Sequence, residues 1–300
     1  MKQPSRRGIA VLTVVFTALA VLIGLVALAS SWSWTGGGKP RNAGALPEPF
    51  ASLQFSGEQR QSLRHAEDVL TRRCMRARGM DFHVVAKAEL PPEPPNPYGL
   101  LEGGDVARHG YGLHDSRVPT DNRLADRERD ALFGTAAYEK TIPLEDGGEI
   151  AVRTDGCFYK AQTELYGKEW TALLYSEETL YAKVIARVQG DPRVTAAQRK
   201  WAACMDRAGY PVTTLAKVWP DANRRMEQTG ANRTAGRAAF DALLTQARRD
   251  VDCQKQARVE PAIRAAQDDA EGSVARGHEQ GLSKLATLRA TALATAARTP

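Results

Sequence analysis

The sequence predicts a mainly α-helical protein with two disulfide-stapled helical halves and a small β-hairpin, behind an N-terminal transmembrane or signal helix. Three observations indicate this fold class. The pattern Cys-Met-x-x-x-Gly occurs twice, from Cys74 to Gly79 and from Cys204 to Gly209, and another cysteine follows each copy much later. Apolar residues recur at helical spacing before each copy. An uncharged segment at residues 9–29 precedes them all and is typical of export.

The N-terminal segment between Ile9 and Ala29 is long enough to span a bilayer. Basic residues precede it and tryptophans follow it, so we expect a cytoplasmic tail at residues 1–8 and a single-pass anchor that is N-in and C-out. Such an anchor places the domain on the outer side of the cell membrane. Because an A-x-A site ends at Ala29, the alternative is a secreted protein cleaved after that residue. Residues 30–55 predict a tether, since their first part is rich in glycine.

The exported part divides into a first helical half at residues 56–190 and a second at residues 191–300. Ser56 and Thr195 are each followed three residues later by a glutamine, which is the spacing of a capping box. Both serve as predicted helix starts. Each Cys-Met-x-x-x-Gly copy predicts a helix end, because glycine readily takes the left-handed conformation that closes a helix.

The rest of the first half mixes structural types. A proline-rich and then glycine-rich run at residues 91–112 predicts irregular structure, because proline is incompatible with a helix interior. Residues 121–133 have a helical pattern, and residues 141–152 alternate around Asp-Gly-Gly as a β-hairpin does. One further helix is predicted from Cys157, and another from about Glu177.

The second half is predicted to be helical throughout its later part. Residues 235–256 place their large apolar side chains in one stripe. A last helix is predicted to begin near Pro261, because proline is favourable in the first turn of a helix.

The four cysteines permit three pairings, and spacing alone does not choose among them. The repeat favours one. If each Cys-Met helix is stapled to a later helix of its own half, the bonds are Cys74 to Cys157 and Cys204 to Cys253. Metal or redox chemistry is the alternative, but the chain has no C-x-x-C motif and no histidine within four residues of any cysteine.

Five residues in and beside the glycine-rich run form the best candidate for a ligand or partner surface: Tyr98, Asp105, His109, Tyr111 and His114. Aromatic rings bury contact area at low entropic cost, and histidine with carboxylate can ligate zinc. However, the H-x-x-x-x-H spacing is not that of a defined catalytic zinc site. We therefore expect a structured surface loop without a metal.

Charge and motifs exclude several functional classes. Four of the 41 basic residues and none of the 35 acidic residues lie in the first 40 positions, which leaves 37 basic against 35 acidic residues. Nucleic-acid binding needs clustered, uncompensated Lys and Arg, so no nucleic-acid partner is expected. The chain has no G-x-S-x-G, S-x-x-K, H-E-x-x-H or P-loop motif, and no catalytic residue or cofactor is predicted.

The segment Asp155-Gly156-Cys157, the later Leu165-Tyr166-Gly167 and the two Cys-Met-x-x-x-Gly copies together resemble a pattern of exported actinobacterial proteins. The resemblance extends over residues 57–253. It implies an extracytoplasmic, disulfide-bonded helical domain, and it brings no activity and no functional residue with it. The chain differs from lipidated relatives in lacking a lipobox cysteine.

These observations lead to a functional hypothesis. We expect a membrane-tethered, extracytoplasmic cell-envelope protein that serves as a binding or structural module, with an envelope protein or a small ligand as its partner. The alternative is an extracellular enzyme whose site is the loop between Pro91 and Asp115, because long loops in compact domains often carry function.

Overall fold

The computed structural model of the chain describes residues 46–83, 96–113, 124–144, 147–230 and 232–299. The predicted cytoplasmic tail, the predicted anchor at residues 9–29 and most of the predicted tether lie outside these ranges. Within them, no helix has both the length and the apolar character needed to cross a membrane. The predicted mainly helical fold, the antiparallel hairpin and the two disulfides are all confirmed.

The described residues form ten α-helices and two β-strands. Their bounds in chain order are α1 (Gly57–Ala77), α2 (Gly103–His109), α3 (Asp126–Phe133), β1 (Glu139–Pro143), β2 (Glu149–Arg153), α4 (Cys157–Tyr166), α5 (Trp170–Gly190), α6 (Pro192–Arg207), α7 (Leu215–Glu227), α8 (Arg233–Ala257), α9 (Val259–Ala275) and α10 (Glu279–Ala296). Short 3-10 helices lie at Ala51–Leu53 and Ala136–Tyr138.

The predicted start of α1 and the two predicted glycine ends are confirmed. Ser56 Oγ accepts a hydrogen bond from the Gln59 backbone N–H at 3.2 Å, and the Gln59 side chain accepts from the Ser56 N–H at 2.9 Å. Gly79 and Gly209 both have positive φ, at 72° and 84°. In each copy the N–H after the glycine bonds the carbonyl of the repeated methionine, so the sequence repeat is also a repeat of helix-end geometry.

The predicted helix start at Thr195 is wrong. Helix α6 begins three residues earlier at Pro192, and Asp191 caps it by accepting a hydrogen bond from the Arg193 N–H at 2.8 Å. Aspartate followed by proline is a strong start, because the carboxylate accepts from free N–H groups and proline has none to leave unpaired. Thr195 lies in the first turn, and the Gln198 side chain accepts from the Leu215 N–H instead.

Three other predicted boundaries differ from the structure. The helix predicted from about Glu177 begins at Trp170. The region predicted to be irregular contains α2. The helix predicted from Pro261 is two helices, because Gly277, at φ 85°, separates α9 from α10. Helix α7 has no counterpart among the predicted elements.

Two apolar clusters account for most of the interior. The large core joins the second part of α5 with α6, α7, α8 and α9, and residues 98–113 pack onto it. The small core joins α1, α4, the start of α5 and α10. Residues 46–55, placed in the predicted tether, supply Phe50 and Leu53 to the large core and Phe55 to the small core. Each core therefore contains residues from both sides of position 190. The predicted division into two helical halves at residues 56–190 and 191–300 stays a prediction.

Both disulfides have the predicted partners. Cys74 near the end of α1 is bonded to Cys157 at the start of α4, with a Cα–Cα distance of 5.5 Å. Cys204 in α6 is bonded to Cys253 in α8, at 5.6 Å. All four cysteines of the chain are therefore oxidised. Each bond lies close to one of the repeated helix ends. The first joins the end of α1 to α4, and the second joins the end of α6 to α8.

The start of α4 depends on close contact between two glycines. A Cβ added to Gly156 would lie 2.6 Å from the Phe133 carbonyl carbon and 2.7 Å from the Gly134 nitrogen. Both atoms belong to the backbone, so neither can rotate away. Only glycine fits this approach of two chain segments.

We expect Gly156→Ala to lower the free energy of unfolding by about 1–3 kcal/mol, the usual range for overpacking. Urea unfolding followed by circular dichroism measures this loss. Gly272→Ala is the matched control, since nothing lies within 4 Å of the position of its Cβ in α9. That control should be neutral or stabilising, because alanine is the better helix former. Equal losses in the two variants would contradict the expectation.

Candidate functional site

The structure separates the five residues of the predicted surface. Tyr98 and Tyr111 are buried, with exposed fractions of 3% and 6%, and belong to the large core. Asp105 and His109 lie on the exposed side of α2. His114 lies outside the described residues. Only Asp105 and His109, among those described, are accessible to a ligand or partner.

Asp105 and His109 form a pair on one face of α2. The distance from His109 Nδ1 to Asp105 Oδ1 is 2.6 Å, and the two residues are four apart, which brings side chains together on a helix. The carboxylate fixes the orientation of the imidazole through this contact. The pair is therefore an exposed polar feature of residues 98–113, whose two tyrosines are buried.

Beneath α2 lies a buried polar cluster centred on Asp250 of α8, whose side chain is fully buried. Its Oδ1 accepts hydrogen bonds from Trp201 Nε1 at 2.7 Å and from Gln254 Nε2 at 3.0 Å, and its Oδ2 accepts from the Tyr111 hydroxyl at 3.2 Å. Burial raises the pKa of the Asp250 carboxyl, and the three donors partly offset that rise. Burial and the neighbouring Asp250 raise the pKa of Tyr111 as well.

The same cluster fixes residues 98–113 to the helices below. Gln254 donates to the Gly99 carbonyl at 3.1 Å and accepts from the Leu101 N–H at 3.3 Å. Trp219 Nε1 of α7 donates to the Tyr111 carbonyl at 3.1 Å. Both ends of the segment are thus bonded to side chains of the large core. This arrangement positions α2 and its Asp105–His109 pair rigidly.

A second polar cluster lies in the small core around Arg289 of α10. Arg289 and Glu177 of α5 are fully buried, and two hydrogen bonds of 2.6 and 3.1 Å join them. Arg289 Nη1 also donates to the Leu53 carbonyl at 2.6 Å. The guanidinium carbon lies 5.7 Å from the centroid of the Trp170 ring, which stacks on Tyr166 with 4.1 Å between ring centroids. Burial raises the pKa of Glu177, and the positive charge of Arg289 opposes this effect.

Glu67 of α1 adds a third buried carboxyl, beside the Tyr166 ring. Burial raises its pKa to about 7, Arg64 lowers it, and Asp68 raises it. Gln162 donates to Glu67 at 3.3 Å, and the Tyr166 hydroxyl is also hydrogen-bonded to it. The carboxyl therefore changes charge near neutral pH in the interface between α1 and α4.

We expect Glu67→Gln to flatten the dependence of stability on pH. The folded-state pKa of about 7 lies above the ordinary value of 4.5, so this group's stabilisation is complete below pH 4.5 and is lost as pH rises through 7. At pH 8 the variant should be more stable than the wild type by about 3 kcal/mol, when both are referred to pH 4. Urea unfolding at a series of pH values measures the slope.

Glu164→Gln is the control for that measurement, because Glu164 is an exposed carboxyl on the neighbouring helix α4. Its substitution should leave the slope between pH 4.5 and 7 as it is in the wild type. A Glu67→Gln profile parallel to that of the wild type would show that Glu67 is charged in the folded state throughout this range.

Two shallow depressions that are wide open to solvent lie on the surface of the described residues. One is lined by α4 residues, including Tyr159, Lys160 and Glu164, and the other by Arg233, Arg237 and their neighbours at the start of α8. In the described ranges, no three His, Cys, Asp or Glu side chains are grouped so as to hold a metal ion.

The residues at the centre of both buried clusters were not predicted from the sequence. A signal was present, because Gln246, Asp250 and Gln254 occupy positions of the buried stripe of α8 together with Leu243, Ala247 and Val251. Arg289 likewise falls in the stripe of α10 that includes Leu285 and Ala292. A charge or amide within an apolar stripe indicates a buried polar group that must have a partner.

No protein-family model, curated protein or solved structure matches the chain. Any functional assignment therefore depends on the residues and their geometry.

Proposed function

We propose that the chain is a membrane-tethered, extracytoplasmic protein of the cell envelope that acts as a binding or structural module rather than as an enzyme. The observation that carries the proposal is the contrast between interior and surface. The buried ionisable side chains Glu177, Asp250 and Arg289 are all held by protein partners in helix interfaces, whereas the two depressions found on the described surface are open to solvent.

The compartment is argued from the cysteines. Structural disulfides persist in oxidising environments outside the cytoplasm, and here all four cysteines are paired within the chain. The uncharged segment between Ile9 and Ala29, with basic residues before it, supports a single-pass anchor whose C-terminal side faces outward. Cleavage after Ala29 is the competing proposal and gives a secreted protein.

The binding role is argued from rigidity. Perturbed pKa values are common in active sites, but here the carboxyls of Glu67, Glu177 and Asp250 have shifted pKa values because they are buried between helices. The disulfides join α1 to α4 and α6 to α8, and the clusters add hydrogen bonds between further elements. A preorganised surface loses little entropy when a partner binds, which favours a recognition or scaffolding role.

Fractionation of cells that express the full chain with a C-terminal tag tests the location. We expect the tag in the membrane fraction, accessible to protease in spheroplasts, and thiols that react with a maleimide only after reduction. Mass spectrometry of the N-terminus separates the two attachments, since a retained anchor includes Ile9 and a cleaved protein begins at Ser30. Recovery of the reduced chain among intracellular soluble proteins would refute the proposal.

Cross-linking in intact cells tests the binding role. We expect an envelope protein to be cross-linked to the wild type and to be lost in the double variant Asp105→Ala with His109→Ala. Asp241→Ala on α8 is the surface control and should retain the cross-linked partner.

One observation favours the enzyme alternative at residues 91–115. The Asp105–His109 pair has the carboxylate-to-imidazole geometry of an oriented general base, and it is exposed. A panel of hydrolase substrates tests this role. Turnover by the wild type that His109→Ala abolishes would replace the binding proposal with the enzyme, whereas turnover in neither protein supports the binding module.

A further inference from the structure

Among the residues that the structure describes, no strand pairs with the outer edge of β2. The hairpin pairs Glu139 with Arg153 and Ile142 with Ile150, and the bonds from Leu144 to Gly148 and from Thr154 to Tyr138 set which pairs exchange hydrogen bonds. In an antiparallel ladder hydrogen-bonded and non-bonded pairs alternate. The backbone groups of Lys140, Ile142, Ile150 and Val152 therefore point into the hairpin, and those of Glu149, Ala151 and Arg153 point away from it.

The backbone of these three residues has no partner among the residues that the structure describes. All three residues are exposed, and β2 has neither proline nor glycine. The outer edge of β1 is different, because Pro143 lies at one of its outward positions and supplies no N–H. Natural sheets use proline in this way to prevent pairing at an edge. One edge of the hairpin is therefore protected, and the other is not.

The sequence of β2 is complementary to itself. When two copies of Glu149–Arg153 are aligned antiparallel about Ala151, each Glu149 lies opposite the Arg153 of the other copy, and each Ile150 lies opposite a Val152. The same alignment brings the outward N–H and C=O groups of Glu149, Ala151 and Arg153 into hydrogen-bonded pairs. Backbone register and charge thus favour the same alignment.

We propose that β2 is a homodimerisation edge, at which two copies of the chain pair their β2 strands antiparallel about Ala151 to form one four-stranded sheet. On one face the half-buried side chains of Ile142, Ile150 and Val152 from both copies become a continuous apolar patch. On the other face Arg153, already 3.5 Å from Glu139 across the hairpin, gains Glu149 of the second copy.

The limited stability of a two-stranded hairpin supports a second copy of the chain as the partner of the β2 edge. A two-stranded hairpin is marginal in water on its own, and a sheet generally needs three or more strands or a packed helix. Among the described helices and strands, β1 and β2 make extensive contacts only with each other. Outside the hairpin, Arg153 donates a hydrogen bond to the Gly134 carbonyl at 3.4 Å. Pairing across the two-fold axis supplies the missing strands without any other protein.

Cysteine cross-linking of the full chain in its membrane or in detergent tests the edge. Ala151→Cys places one thiol beside its counterpart at the two-fold axis, within the Cα separation that a disulfide allows. Thr141→Cys is the matched control, since Thr141 is an exposed outward residue of β1. Under mild oxidation we expect Ala151→Cys to yield a covalent dimer and Thr141→Cys to remain monomeric.

Charge reversal provides a second measurement. Glu149→Arg and Arg153→Glu each place like charges opposite one another in a homodimer, which should raise the dissociation constant about tenfold. An equimolar mixture of the two variants restores two opposite-charge pairs, and it should form a heterodimer with the affinity of the wild type. Light scattering and differently tagged copies distinguish these species.

Three cross-linking results would overturn the proposal. These are equal cross-linking of Ala151→Cys and Thr141→Cys, no cross-linking of either variant, or capture of a different protein by Ala151→Cys in place of a second copy. Failure of the mixed variants to associate while the wild type dimerises would also overturn it, because dimerisation would then use another surface.

Discussion

Arg289→Ala is expected to lower the free energy of unfolding by about 3–5 kcal/mol, the cost of leaving a buried charge without its partner. Glu177 would lose both of its hydrogen bonds to the guanidinium, and the Leu53 carbonyl would lose its donor. Neither group could recover these bonds from solvent, because Glu177 and Leu53 are both buried. The ring of Trp170 would also lose the cation above it.

Urea unfolding of the full chain measures this loss, and two comparison variants identify its cause. Arg73→Ala removes an exposed ion pair with Glu164, so its cost should stay below about 1 kcal/mol. The double variant Arg289→Met with Glu177→Met removes both charges and should recover most of the stability lost in Arg289→Ala. A double variant no more stable than Arg289→Ala would assign the loss to packing rather than to the unpaired carboxylate.

Removal of either disulfide is expected to cost about 4 kcal/mol on the chain-entropy model. The bonds close loops with sequence separations of 83 residues for Cys74–Cys157 and 49 residues for Cys204–Cys253. Loop-closure entropy grows only with the logarithm of loop length, so the two losses should be similar. Alanine is the appropriate replacement, because Cys157 and Cys253 are fully buried and a hydroxyl there would lack a partner.

Urea unfolding with and without a reductant checks the effect of the disulfides. A reductant should lower the unfolding midpoint of the wild type and should leave the four-alanine variant unchanged. Each two-alanine variant should lie between them. A wild-type midpoint that is insensitive to a reductant, with reduction verified by mass, would show that the staples do not contribute to stability.

The helix ends were predictable because their causes are local in sequence. A capping box at Ser56 and glycines at Gly79 and Gly209 satisfy backbone groups within one turn, so the residues that carry the signal are also the residues that make the bonds. The repeat then indicated which cysteine belongs with which. These predictions needed no knowledge of tertiary contacts.

The wrong boundaries have a different cause. Helix α5 begins at Trp170 without a side-chain cap, so no local signal marks its start. Helix α2 begins with two glycines, which disfavour helix formation, but Gly103 lies against Lys255 and Val251 of α8. Tertiary packing overrides intrinsic propensity at both sites. The break between α9 and α10 differs, because Gly277 is itself a local signal for a helix end.

The candidate surface was only partly predictable. Tyr98 and Tyr111 were assigned to it because tyrosine is common at interfaces, yet the same residue type also suits a core position with a hydroxyl partner. The choice between these roles depends on Asp250, which lies far away in the sequence and receives the Tyr111 hydrogen bond. Asp105 and His109 were both assigned to the surface, but their pairing depends on helix α2, which lies in a region predicted to be irregular.

The position of α10 constrains how the chain folds during synthesis. This helix covers α1 and α4, and its Arg289 reaches back to the Leu53 carbonyl across 236 residues. Ribosomes release α1 early, and α4 can pack against it well before α10 is made. The part of α1 that α10 covers stays open until residues 279–296 have emerged, so the small core is completed only when its final helix has been synthesised.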